Sequence, residues 1–235
     1  MLTAVGFLTR LPVPAARSAP DLSRAAFFFP LVGALVGGIA AATRALADQA
    51  LPPLPATLLA VTAALIVTGA LHEDGLADVA DALGAHTTRE RRLEILKDPR
   101  VGAFGALALI VAVGLITTTI ATLDTEDAVK ALVISHTLSR WAILPVSIAL
   151  KPAKPGGSGS LLRVSTPSLI AATVIAAAIV TPLQGAPALI AAALATAVSG
   201  LVLHTTLGGI TGDGYGATAK LAELASATTL VALWT

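Results

Sequence analysis

The chain has 235 residues, 55% of them hydrophobic and only 12% charged, with a mean hydropathy of +0.85. A soluble domain covers its surface with roughly a quarter charged residues, so this composition excludes a wholly water-facing exterior and implies a lipid-facing one. The net charge of +1 offers no general attraction to nucleic acid, and the absence of cysteine excludes disulfides, thiolate metal sites and cysteine nucleophiles.

The opening segment, MLTAVGFLTRLPVPAARSAP, lacks the basic start, uninterrupted apolar run and cleavage site of a signal peptide. It reads as a short interfacial stretch leading into the first span. A membrane helix needs about 20 mostly apolar residues. The stretches that approach this are Phe28–Leu46, Leu54–Leu71, Ala103–Leu123, Val129–Leu150, Ser168–Leu183, Pro187–Leu203 and Ala217–Trp234. The last is the weakest, because Lys220 and Glu223 fall in its first turns. The pattern predicts an all-α, polytopic membrane helical bundle of about seven transmembrane helices, forming one membrane-embedded domain over 1–235. The only linker-like stretch, KPAKPGGSGS at 151–160, reads as a flexible inner loop.

Basic residues set the orientation. With the N-terminus inside, the inner loops collect Arg10, Arg17, Arg24, Arg89, Arg91, Arg92, Lys97, Arg100, Lys151, Lys154 and Arg163, eleven of the fifteen lysines and arginines. The outer loops keep only Arg44 and Lys130, beside Asp124, Glu126 and Asp127. This places the loops around 72–102 and 204–216 on one face, expected to be cytoplasmic.

Those loops carry the chemistry. Asp74, Asp78 and Asp81 recur at i, i+4 and i+7, within roughly 60° of one helical face. Three carboxylates on one stripe repel one another. A hard, oxygen-bound divalent ion such as Mg²⁺ would neutralise them and bring phosphate into its shell; a solvated acidic face is the other reading. His72 and Glu73 point away from the stripe, as partners of the site or as interfacial polar residues. Lys97 and Arg100 flank the helix end set by Pro99 and are candidate phosphate ligands, whereas Arg89, Arg91 and Arg92 read as an inner-face anchor. GGITGDGYG at 208–216 has glycines that allow close backbone approach to a phosphate before a helix N-terminus. Gly209, Thr211 and Gly212 are its candidate substrate contacts, as is His72 across the site, and Asp213 suits a metal-bound version of such a loop. Arg140, buried mid-span one turn after His136, must face a polar interior, holding phosphate or forming an ion pair.

At these residues the sequence resembles the cobalamin synthase family of adenosylcobinamide-GDP ribazoletransferases. The similarity runs through FLTRLPVP at 7–14, FFPLVGALVGG at 28–38, LHEDGLADVADALGA at 71–85, LEILKDPRVGAFGALAL at 93–109 and GGITGDGYGA at 208–217. It departs at Lys220, where the family's last motif usually carries the first of two glutamates; Glu223 retains the second. The resemblance implies attack by a hydroxyl of α-ribazole, or of its 5′-phosphate, on adenosylcobinamide-GDP with release of GMP. It also implies Asp74, Asp78 and Asp81 as Mg²⁺ ligands, Asp213 as a further ligand or the general base, and Lys97, Arg100 and Arg140 on phosphate. A bacterial cytoplasmic membrane, with the active site facing the cytoplasm and lipid around the helices, is the expected setting; self-association is left open. Two alternatives stand beside it. A CDP-alcohol-type phospholipid phosphotransferase would carry Ala-Arg after Asp-Gly, which LADVADALGA lacks. An ion-coupled transporter would place its acids near mid-span, often within an inverted repeat.

Overall fold

The computed structural model describes residues 1–14, 22–154, 156–160 and 162–235; Arg17 and Pro155, counted above among inner-face features, lie outside them. Among the described residues the chain is helical throughout, apart from one isolated parallel bridge between Pro152 and Ile210. After the short α1 (Leu2–Leu8) and α2 (Leu22–Ala25), a 3₁₀ turn leads into α3 (Phe29–Ala47). The rest follow as α4 (Pro53–Thr68), α5 (Leu71–Gly84), α6 (Arg89–Ile95), α7 (Ala103–Ile120), α8 (Thr125–Ala149), α9 (Thr166–Val180), α10 (Ala186–Leu207) and α11 (Gly212–Trp234).

Local chemistry sets the boundaries. Prolines occupy the first turns of α3, α4, α9 and α10, where a missing N–H costs nothing. The Asp124 carboxylate accepts from Asp127 N at 2.9 Å to start α8, and Thr211 Oγ1 accepts from Gly214 N at 3.0 Å to start α11.

Each expected apolar stretch is helical, but seven spans are not all supported by length and composition. The Leu22–Ala47 segment, α7, α8 and α10 are long and apolar enough alone, and α4 with α5 makes a fifth as a bent pair. α9 has only 15 residues, and α11 is diluted by Asp213, Lys220 and Glu223. The acidic segment does not run straight on from α4. The chain turns by 90° between α4 and α5. Gly69 and Ala70 take successive left-handed conformations there, φ 64° and 54°. Glycine adopts this freely, whereas alanine is strained. The turn takes the carboxylates off the axis of α4, away from the bilayer interior where they would be costly.

The bundle is apolar outside, and its largely apolar interior also encloses hydroxyl side chains. Ile110, Val111, Ile190, Leu194 and Val198 are each more than 60% exposed, while Ser135, Thr137, Ser139, Thr218 and Ser226 are fully buried. Most of these interior hydroxyls return to their own helix, as in Thr137 Oγ1 to Val133 O at 2.7 Å and Ser226 Oγ to Ala222 O at 2.6 Å. α8 is the axis: its membrane window is 78% buried, against 28% for α7 and 33% for α10. α3 lies directly on α8 because Gly33 and Gly37 have no Cβ; one added there would come within 2.3 Å of His136 O and 2.6 Å of Leu132 O. At the end of the bundle away from the acidic segment, Arg44 is buried in an ion pair with Asp48 and donates to Thr57 Oγ1 at 3.0 Å. Asp48 in turn accepts from Thr125 Oγ1 at 2.6 Å, which closes that end.

Candidate active site

The site forms where α5 crosses the first turns of α11. Gly75 and Gly216 meet backbone to backbone: a Cβ on Gly75 would lie 2.6 Å from Asp213 O, and one on Gly216 3.3 Å from the Gly75 Cα. Only residues this small let the helices approach so closely, and the approach brings Asp213 beside the acidic stripe. Burial, then the negative charges of Asp213, Asp74 and Asp81, push the Asp78 carboxyl up to about 6. Neither Asp74 nor Asp78 has a hydrogen-bonding or cationic partner among the described residues.

Asp81 is different. Its Oδ2 accepts from Gly102 N at 2.7 Å and its Oδ1 from Gly105 N at 2.8 Å, so the carboxylate ties down the N-terminus of α7. It also stands about 10 Å along the helix from Asp74, too far to share one small ion. Among the described residues no three acidic or histidine side chains converge tightly enough to enclose a metal as they stand. The donor chemistry nonetheless fits a hard cation: Asp74, Asp78 and Asp213 offer carboxylate oxygens whose mutual repulsion is uncompensated.

Among the described residues, two cavities open beside Asp213. The first, of about 390 Å³, is lined by Lys97, Lys154, Gly157, Gly159 and Thr211 as well as Asp213. Its far wall is the segment expected to be a flexible loop, and the structure corrects that. Ile210 N donates to Lys151 O and Ala153 N to Ile210 O, both at 2.9 Å. Tyr215 donates its hydroxyl to Gly159 O at 3.1 Å. Arg89, read from sequence as a membrane anchor, is a strut that donates to Leu207 O at 2.7 Å and Ala153 O at 2.8 Å. The second cavity, of about 210 Å³, includes His72, Asp74, Gly212 and Asp213 in its wall.

Other sequence candidates are placed elsewhere. Arg100 is 86% exposed and chelates Asp98, donating from Nε at 2.9 Å and Nη2 at 2.6 Å; this holds the Asp98 carboxyl down to about 2. A partner two residues away competes with any reach toward the cleft. Gly209 packs against the Lys151 backbone, where a Cβ would fall 2.2 Å from the carbonyl oxygen. Thr211 spends its side chain on the α11 cap, though it also borders the first cavity. Sequence reasoning passed over Lys154, Gly157 and Gly159; their signal was a lysine beside paired glycines, read only as linker composition.

Arg140 lines neither cavity. It lies 3.6 Å from Glu223, which accepts from Lys220 at 2.7 Å, and Lys220 also pairs with Glu73 at 2.8 Å. Two acids and two bases, all at most 10% exposed, thus form a neutral chain beneath the site. A void of only about 10 Å³ lies among them and His136. The structure therefore favours the ion-pair reading of Arg140, and Lys220 holds the centre of the chain.

The helical bundle, its apolar exterior and the acidic and basic groups gathered at one end define a polytopic membrane protein with a polar site at that end. The chain belongs to the cobalamin-5-phosphate synthase family, whose model matches residues 1–231. It is 38% identical to the adenosylcobinamide-GDP ribazoletransferase of Geotalea daltonii over 98% of this chain and 96% of that one. It is 37% identical to that of Rhizobium etli, over 95% and 92% of the two chains, and 36% identical to that of Shewanella woodyi, over 94% and 91%. No solved structure matches it.

Proposed function

We propose that this protein is an adenosylcobinamide-GDP ribazoletransferase of the bacterial cytoplasmic membrane, with its active site open to the cytoplasm. The observation that carries the reading is the position of Asp213, which borders both cavities and lies within electrostatic reach of Asp74 and Asp78. In the reaction a hydroxyl oxygen of α-ribazole, or of its 5′-phosphate, bonds to the phosphorus bearing the aminopropanol arm. The bond from that phosphorus to the bridging oxygen breaks, GMP leaves with the electron pair, and the hydroxyl gives up its proton. Such transfers depend on charge neutralisation and in-line positioning more than on covalent catalysis.

Lys97 and Lys154 face the diphosphate from the first cavity, whose wall Gly157 and Gly159 complete. Asp213, between the cavities, accepts the hydroxyl proton or serves as a further metal ligand. Asp74 and Asp78, with Asp213, would hold Mg²⁺, which when bound neutralises phosphate charge and activates the attacking and leaving oxygens. The assay is GMP release from adenosylcobinamide-GDP and α-ribazole 5′-phosphate by purified protein. EDTA is expected to abolish it and excess Mg²⁺ to restore it; turnover unaffected by chelation would remove the metal from the mechanism.

A further inference from the structure

We propose that the second cavity is the seat of the acceptor's aromatic base, separate from the cleft that takes the diphosphate; the proposal rests on the transferase reading above. Its apolar walls come from Phe7, Leu8, Leu71, Ile143, Leu162 and Tyr215, and among the described residues no lysine or arginine lines it. The lysines that face a diphosphate, Lys97 and Lys154, are both in the other cavity, and the carboxylates here stand at its edge toward Asp213 rather than across its apolar walls. A neutral, flat ring suits the space, because aromatic and aliphatic walls reward its burial.

Size narrows the choice. At about 210 Å³ the cavity is smaller than the pockets that enclose drug-sized ligands, which begin near 300 Å³. Its size matches a bicyclic heteroaromatic ring better than a corrinoid or a whole nucleotide. One polar feature is left over in its wall. His72 is 3% exposed and its Nε2 is buried with no partner in the structure. A benzimidazole nucleoside carries one unsubstituted ring nitrogen, an acceptor that an Nε2–H would satisfy once a turn of the buried His72 ring brings it to the cavity surface. With the base seated there, its sugar emerges past Gly212 at Asp213, where the acceptor hydroxyl must give up its proton.

Ile143→Phe fills the cavity from α8, His72→Leu removes the donor and His72→Gln keeps an N–H. Steady-state GMP release by the full chain should show the KM for α-ribazole raised at least about tenfold by Ile143→Phe and His72→Leu, and largely restored in His72→Gln, one pK unit of affinity corresponding to a single good hydrogen bond to the base. The KM for adenosylcobinamide-GDP should stay within about twofold in all three, and Lys154→Ala should show the reverse pattern. Equilibrium titration with benzimidazole riboside, without the nucleotide substrate, should show binding by wild type that Ile143→Phe and His72→Leu lose. This titration also separates the two readings. Wild type that releases no GMP but binds the riboside in a His72-dependent way fails the transferase reading and keeps the cavity assignment. A raised KM for adenosylcobinamide-GDP alone would give the cavity to guanine and overturn the assignment. Wild type that does not bind the riboside, or variants that bind it unchanged, would also overturn it. If Ile143→Phe does not fold, the His72 pair decides.

Discussion

Replacing Lys220 with methionine would test whether the buried ionic chain is what allows α11 to pass through the bundle. The substitution keeps length and apolar volume but leaves Glu73 and Glu223, both at most 10% exposed, with Arg140 as their buried cation among the described residues. Breaking a buried pair by removing one partner typically costs about 3–5 kcal/mol, whereas replacing both partners is often nearly neutral. For a chain of this size 1 kcal/mol moves Tm by about 2–4 °C. Lys220→Met should therefore lower the unfolding midpoint in detergent by about 6–20 °C. The double variant Lys220→Met, Glu73→Gln returns the remaining charges to balance, Glu223 against Arg140, and should recover most of that loss. The measurement is thermal unfolding followed by size-exclusion of the soluble fraction, at matched lipid and detergent. A single variant shifted by less than about 2 °C, or a double variant less stable than the single, would refute the account.

Gly75→Ala should abolish GMP release in protein that is still inserted and monodisperse, because its Cβ would fall 2.6 Å from the Asp213 carbonyl oxygen, while Gly216→Ala, at 3.3 Å, should be milder. Lys97→Ala should raise the KM for adenosylcobinamide-GDP about tenfold or more, and Arg100→Ala should change it little, since Arg100 is bound to Asp98 at the surface. Burial and its acidic neighbours raise the Asp78 carboxyl in the metal-free protein, so proton and cation compete for it: at limiting Mg²⁺ activity should fall as pH drops, and excess Mg²⁺ should move that fall to lower pH. The sign for stability is opposite: a raised carboxyl favours the fold at low pH and loses that contribution as pH rises through 6, so Asp78→Asn in EDTA should raise Tm at pH 7.5 and leave it unchanged at pH 4. Cysteines introduced singly at Ala85 and Lys154 into this cysteine-free chain should resist an impermeant thiol reagent applied to intact cells; outside labelling of either would invert the topology.

The sequence revealed the helical class and the convergence of two loops because both depend on one-dimensional signals, apolar run length and the sorting of basic residues. It revealed less where an outcome hung on long-range docking. Asp81 belongs to the stripe by helical phase, yet its oxygens serve backbone groups 21 and 24 residues away. The right-angle turn at Gly69 and Ala70 rests on an alanine in a left-handed conformation, which no propensity would nominate. The glycines of 151–160 look like linker composition until Ile210 and Tyr215 fasten that segment over the lysines.

α5 separates three kinds of carboxylate by helical phase and docking. Glu73 turns inward, about 100° from Asp74, and is paired by Lys220. Asp81, at the far end, is held by the backbone of α7. Asp74, in the wall of the second cavity, and Asp78, one turn along and raised by its acidic neighbours, are left without a compensating partner. A protein that neutralises an acid beneath the bundle surface but leaves two without a counter-charge beside Asp213 has kept negative charge close to where a ligand can reach it. Removing that charge would stabilise the metal-free fold, so its retention is better explained by ligand binding than by architecture. The same division explains why Arg140 and Lys220, despite their charge, are poor choices as phosphate ligands: each is already committed to an internal carboxylate, and Lys97 and Lys154 are the lysines at the cavity wall.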